Sequence, residues 1–174
     1  AADRVLVYDD NGAHPGISAA EVLARGGARV EIISPERFFA PEVGGMNHVP
    51  YMRAFQDHGV RVTVATRVTS VRRDGNALIA TLGSDFAPGF SEERHVDQVV
   101  VEHGTAPMDE LYFALKPLSH NLGAVDHGAL IGDGDVFPGT NAKGRFRLYR
   151  IGDAVASRNI HAGIYDALRY GIRW

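Results

Sequence analysis

A chain of 174 residues is long enough for one α/β domain and a piece of a second, and an apolar fraction of 45% can fill a sizeable core. A net charge of −3 argues against a nucleic-acid surface, and the absence of cysteine excludes disulfides, thiolate catalysis and any iron–sulfur cluster ligated by this chain. No stretch approaches the roughly 18 apolar residues of a membrane span and no signal-peptide pattern is present, so a cytoplasmic location with no membrane partner is expected.

The chain is organised around Arg4 to Ser34. Val5 to Tyr8 is an apolar run without alternation, the pattern of a strand covered on both faces. A glycine-bearing loop follows, from Asp9 to Gly16. Ser18-Ala-Ala-Glu21 has capping-box spacing, which predicts a helix from Ser18 to Arg25 with Ser18 as its N-cap. Ala19, Ala20 and Ala24 keep that helix thin, and Gly26-Gly27 ends it at a left-handed turn. Val30, Ile32 and Ile33 mark a second strand, which completes a βαβ unit.

After a loop, a second helix is predicted from His48 to His58, with Val49, Met52 and Phe55 on one face. Val60 to Val68 reads as one strand. Ser70 to Leu82 reads as a hairpin with Asp74-Gly75 as its turn signal and Leu78, Ala80 and Leu82 on one face. His95 to Glu102 reads as another apolar strand. A short helix is predicted from Asp109 to Leu115, little regular structure from Lys116 to Asn141, a strand from Arg145 to Ile151, and a last helix from about Asn159 to Tyr170. The expected fold is α/β: a Rossmann-like FAD/NAD(P)-binding fold with a central parallel sheet, an antiparallel hairpin or meander layer, and flanking helices.

Three loops carry the candidate chemistry. A dinucleotide fingerprint places G-x-G-x-x-G directly after the first strand, so that backbone amides can approach a pyrophosphate. This chain offers Asp9-Asp10-Asn11-Gly12 instead, with Gly16 at the position of the third glycine. A carboxylate ~4 Å from a phosphate charge costs about 4 kcal/mol at an effective dielectric near 20. One carboxylate could instead bind a ribose hydroxyl, or the loop could simply connect strand to helix. Glu36 and Arg37, just beyond the second strand, leave NAD against NADP open.

Gly152-Asp153 is the stronger signal. A hydrophobic stretch ending in Gly-Asp, then Ala154 and a helix that includes Ile160 and His161, is a flavin-site pattern. The aspartate accepts hydrogen bonds from ligand hydroxyls, and the helix points its positive end at phosphates. A helix-capping aspartate is the alternative. The third element is Gly104-Thr105-x-Pro107, a turn that in two-dinucleotide flavoproteins returns the chain to the flavin domain. The eight histidines are scattered without metal-ligand spacing. Asp133-Gly-Asp135 reads as a turn rather than a calcium loop, and neither Ser34 nor Ser157 lies in G-x-S-x-G.

The segments VDQVVVEHGTAPMDELYFALKPLS, RLYRIGDAVASRNIHAGIYDAL and DDNGAHPGISAAEVLA resemble the C-terminal part of large NADH:flavin oxidoreductases. The type is that of trimethylamine dehydrogenase and 2,4-dienoyl-CoA reductase, and the resemblance is strongest to dimethylglycine and N-methylproline demethylases. It implies that residues 1–102 are an inserted pyridine-nucleotide-like domain and residues 103–174 the returning half of a FAD- or ADP-binding domain. On that resemblance the cofactor-binding residues are Gly12, Gly16, Gly104, Thr105, Pro107, Gly152, Asp153, Ala154, Ile160 and His161, with no catalytic residue and no metal ligand. FMN and a 4Fe–4S cluster belong to an N-terminal barrel of the same polypeptide, outside this chain. The chain opens on Ala-Ala and stops at Trp174 without a polar tail, and so reads as a fragment. The departure at Asp9 to Gly12 puts NAD(P)H in doubt. The alternative function is a non-catalytic module with degenerate nucleotide sites that packs on the barrel or docks an electron-transfer protein.

Overall fold

The computed structural model describes residues 2–132 and 134–171, so the expected turn at Asp133 falls partly outside the described residues. Two compact units are present, Ala1–Gly104 and Thr105–Trp174.

The first unit contains β1 (Arg4–Asp9), α1 (His14–Arg25), β2 (Arg29–Ile33), α2 (Gly45–Asp57), β3 (Arg61–Thr63), β4 (Arg67–Asp74), β5 (Ala77–Gly83), β6 (Glu92–Val96) and β7 (Gln98–Glu102). A parallel sheet has the order β3-β2-β1-β7, and an antiparallel meander runs β4-β5-β6. Side chains alternate across a strand, and both faces of β1 are used. Val5 and Val7 join Ile17, Ala20, Ala24, Val30, Ile32 and Phe55 in a core on the helical side. Leu6 and Tyr8 join Ile33, Ala80, Leu82 and Val96 on the meander side. The result is three layers, helices over parallel sheet over meander, in agreement with the expected fold class.

Several local expectations are corrected. α1 begins at His14, a turn earlier than predicted, with Ala13 as N-cap and Pro15 in the first turn. Proline suits that position because its missing donor is one of the orphans of a helix start. Ser18 therefore lies inside the helix, where its Oγ hydrogen-bonds the Tyr51 hydroxyl at 2.8 Å, and Glu21 pairs with Arg25 at 2.9 Å instead of reaching back. At the other end Gly27 takes φ +91°, and the Ala28 amide donates to the Leu23 carbonyl at 3.1 Å, closing a Schellman turn. α2 starts at Gly45 and holds Pro50 within it. Its inward stripe is Tyr51, Ala54 and Phe55, while Val49 is exposed.

The predicted strand from Val60 to Val68 is two strands in different sheets. The break falls at Ala65, in the left-handed region at φ +52°. Its amide donates to the Glu36 carbonyl at 2.8 Å, and that of Thr66 donates to Ser34 at 3.0 Å. The apolar alternation runs on through this corner, which hides it from the sequence. His95 to Glu102 also divides, at Asp97, where the chain leaves the meander and enters the parallel sheet beside β1. The Asp97 carboxylate accepts from the Arg4 amide at 2.9 Å and from the Arg4 guanidinium at 2.8 Å. These contacts, the guanidinium first, lower its pKa from 3.8 to about 2. A depressed carboxyl stabilises the fold above its unfolded pKa and loses that contribution as pH falls toward its folded value. Asp97→Asn is therefore expected to lower the melting temperature at pH 7, by a margin that shrinks between about pH 4 and pH 2. Thermal melts across that range check it, and a constant margin would count against it.

The second unit contains α3 (Glu110–Leu115), a 3-10 turn at Lys116–Leu118, α4 (His127–Ile131), a second 3-10 turn at Gly152–Ala154, and α5 (Ile160–Gly171). No strand is present among its described residues, so the strand expected from Arg145 to Ile151 is not formed. A strand needs a ladder partner, and here one side chain takes that role. Buried Asn121 accepts from the Leu148 amide at 2.9 Å and donates to the Leu148 carbonyl at 2.8 Å, as a neighbouring strand would. Its amide also donates to the Ala124 carbonyl at 2.8 Å. The apolar centre is Leu130, Val136, Phe137 and Tyr170, with the Tyr149 ring stacked on Phe137 at 5.0 Å between centroids.

Candidate nucleotide site

In the first unit the loop after β1 is built around Asp9. This residue is fully buried. Its Oδ1 accepts from the Gly12 amide at 2.9 Å and the Asn11 amide at 3.2 Å. The same side chain packs against the first turn of α1, since a Cβ on Gly16 would stand 2.6 Å from Asp9 Cγ. Gly12 has φ +67° and lies against Pro41. Asp9 sits in register with Glu102 on β7. Glu102 Oε1 accepts from the amide of Gly104, at 2.9 Å, and Gly104 is itself at φ +78°. Among the described residues, Asp9 Oδ2 and Glu102 Oε2 are both buried without a hydrogen-bond partner. Burial raises the Asp9 pKa against the two loop amides, and Glu102 and Asp10 push it further up. Asp10 holds His103 Nδ1 at 2.6 Å.

In the second unit Gly152 turns at φ +57° and Asp153 is exposed beside it. Among the described residues the Asp153 carboxylate has no hydrogen-bond partner, which leaves its acceptors open to a ligand. The turn is fixed from beneath by Asp166 of α5, 2% exposed, which accepts from the Gly152 amide at 3.1 Å. Asp166 also pairs with Arg158, and with Arg169 at 3.2 Å. Burial opposes its charge, but the Gly152 amide and Arg158 outweigh that cost and hold its pKa below the ordinary aspartate value. Asn159 caps α5 by accepting from the Ala162 amide at 2.9 Å. Gly152, Asp153, Arg158, Asn159, Ile160 and Gly163 help line a cleft of ≈ 560 Å³, within the range of small-molecule sites.

The expected residues thus fall into separate groups. Gly12, Gly16 and Gly104 surround Asp9 and Glu102, whereas Gly152, Asp153 and Ile160 line the cleft. Ala154 and His161 are next to it in sequence but are not among its lining residues, and neither are Thr105 and Pro107, which precede α3. Arg158 and Asp166 were not anticipated. The one available signal was an acid on the inward face of an apolar helix. Chemically, the cleft offers a carboxylate acceptor for hydroxyls, a guanidinium, and the positive end of a helix, which suits a ligand bearing sugar and phosphate. Among the described residues no group of side chains is arranged to hold a metal ion, and no helix is long and apolar enough to cross a membrane.

The first unit is a mixed α/β fold with a four-stranded parallel sheet, an antiparallel meander and flanking helices. Among solved structures the chain is similar to histamine dehydrogenase from Rhizobium sp. 4-9, with a TM-score of 0.65, 22% identity, and coverage of 98% of this chain and 23% of that one. It is also similar to an Escherichia coli flavoprotein disulfide reductase, with a TM-score of 0.56, 14% identity, and coverage of 99% and 35%. No family model matches the sequence. Among curated proteins, one from Rhizobium meliloti (strain 1021) named "Probable N-methylproline demethylase" is 56% identical over 166 residues, 95% of this chain and 24% of that protein. An N,N-dimethylglycine/sarcosine dehydrogenase from Chromohalobacter salexigens is 41% identical over 176 residues, again 95% and 24%. The chain belongs to the oxidoreductase family of these demethylases and dehydrogenases, and it spans about a quarter of their length.

Proposed function

We propose that this chain is the adenine-dinucleotide-binding portion of a flavin-dependent N-methyl amine demethylase or dehydrogenase. The observation that carries the reading is the open Asp153 carboxylate on a left-handed Gly152 turn, in a cleft that also holds Arg158 and the capped start of α5. In this reading Asp153 accepts from ribose or ribityl hydroxyls of FAD or ADP, and Arg158 and the α5 amides face its phosphates. Asp166 keeps the turn and Arg158 in place. A bound FAD would relay electrons, whereas a bound ADP would be structural. The amine oxidation itself, with FMN and a 4Fe–4S cluster, belongs to a barrel elsewhere in the polypeptide.

Calorimetric titration of FAD and ADP into the intact polypeptide tests this. Asp153→Ala is expected to weaken binding by on the order of 10- to 100-fold, the worth of a charge-assisted hydrogen bond at about 1.5–3 kcal/mol. Absence of binding by either nucleotide would favour the second reading, a packing or electron-transfer docking module with degenerate sites. The Asp9-filled loop of the first unit supports that second reading for residues 1–104.

A further inference from the structure

We infer that Asp9 is a built-in ligand of the first unit's phosphate loop, and that it determines cofactor specificity by closing this βαβ unit to the pyrophosphate of NADH and NADPH. In a dinucleotide-binding crossover, the amides between the first strand and its helix, and the glycine that lets the helix start come close, together hold the pyrophosphate. Here each of those features is present and engaged by one side chain. The Asn11 and Gly12 amides donate to Asp9 Oδ1. Gly16, in the first turn of α1, makes room for the Asp9 carboxyl itself, whose Cγ lies 2.6 Å from where a Cβ would be. The carboxyl is fully buried, so it fills this space and does not hang over it. The closure is thus steric and by hydrogen bonding, and it does not depend on the ionisation state of Asp9. Glu102, its register partner, and Asp10 add acidic groups at the same strand ends. Gly16 is therefore explained by an internal occupant, and Gly12 by its left-handed turn against Pro41.

The test uses the intact polypeptide carrying Asp153→Ala, which weakens the second unit's cleft, with saturating ADP present to fill what remains of it. NADH and inorganic pyrophosphate are titrated calorimetrically at millimolar concentration, with folding checked by circular dichroism. With Asp9 present, neither binds. Asp9→Gly vacates the space and is expected to strengthen binding of both by at least roughly tenfold. Asp9→Ser, which vacates most of the volume but keeps an oxygen to cap the loop, gives a smaller gain in the same direction and serves if the glycine variant does not fold. Binding of NADH that pyrophosphate displaces in the protein with Asp9 intact would overturn the inference. So would the lack of any gain in whichever variant folds.

Discussion

Asn121→Ala is expected to destabilise the second unit by on the order of 3 kcal/mol, since net hydrogen bonds are worth about 1 kcal/mol and stranded buried groups cost about 1–3 kcal/mol each. Asn121 is wholly buried, and it bonds Leu148 through both amide and carbonyl and Ala124 through its carbonyl. Alanine leaves all three backbone groups without these bonds. The effect reaches function because Leu148 lies four residues before Gly152, so the segment that delivers the Gly-Asp turn loses its anchor. Denaturant unfolding followed by circular dichroism, with ADP titration alongside, checks both parts. Asn121→Asp supplies the sharper control. It cannot donate to the carbonyls of Ala124 and Leu148, so it should be at least as damaging despite its matching shape. A variant at Asn121 that unfolds like the parent would show that residues 145–151 are held by packing alone.

The second large effect falls at Gly16. Inside a helix, Gly→Ala ordinarily gains up to about 1 kcal/mol. Here the expected result has the opposite sign, a loss of on the order of 3 kcal/mol, because the new methyl would stand 2.6 Å from Asp9 Cγ and 2.9 Å from its Oδ1. Asp9 is short and buried, so it has nowhere to swing without giving up its bonds to Asn11 and Gly12. Net hydrogen bonds are worth about 1 kcal/mol each, and a stranded buried amide costs about 1–3 kcal/mol. Asp9→Gly should restore part of the loss in the double variant, because the two sites share one space. Urea unfolding of the four proteins of this cycle provides the measurement. If Gly16→Ala proves stabilising, helix propensity has won and Asp9 does not fill the gap.

How much of this was legible in the sequence depended on whether the signal was local. β1, α1 and β2 could be read because their apolar periods and terminal glycines lie within thirty residues of each other. The corners at Ala65 and Asp97 could not. In both, apolar residues continue on either side while the chain changes sheets, and the bonds that fix the change come from Ser34, Glu36 and Arg4, far away in sequence. Ser18 was misread as a cap because its capping-box spacing was satisfied. Pro15 and a loop held by Asp9 started the helix earlier, and Tyr51 claimed the hydroxyl. At the candidate site, Gly152-Asp153 was visible as a dipeptide, but Arg158 and Asp166 become partners only when α5 folds back over the turn. The sequence also showed Asp9 and Asp10 placing negative charge where a pyrophosphate would sit. It could not show the carboxyl turned inward to accept from the Asn11 and Gly12 amides.

The passage of the chain through Asp97 dictates an order of assembly. β1 is flanked by β2, which follows within thirty residues, and by β7, which arrives only after the whole meander has been made. Hairpin pairing closes short loops and is quick, whereas seating β7 beside β1 joins positions more than ninety residues apart. During synthesis one side of β1 therefore stays open until residue 102 has left the ribosome. In that interval the nascent chain carries a bare, strongly apolar strand edge, the kind that recruits stray partners.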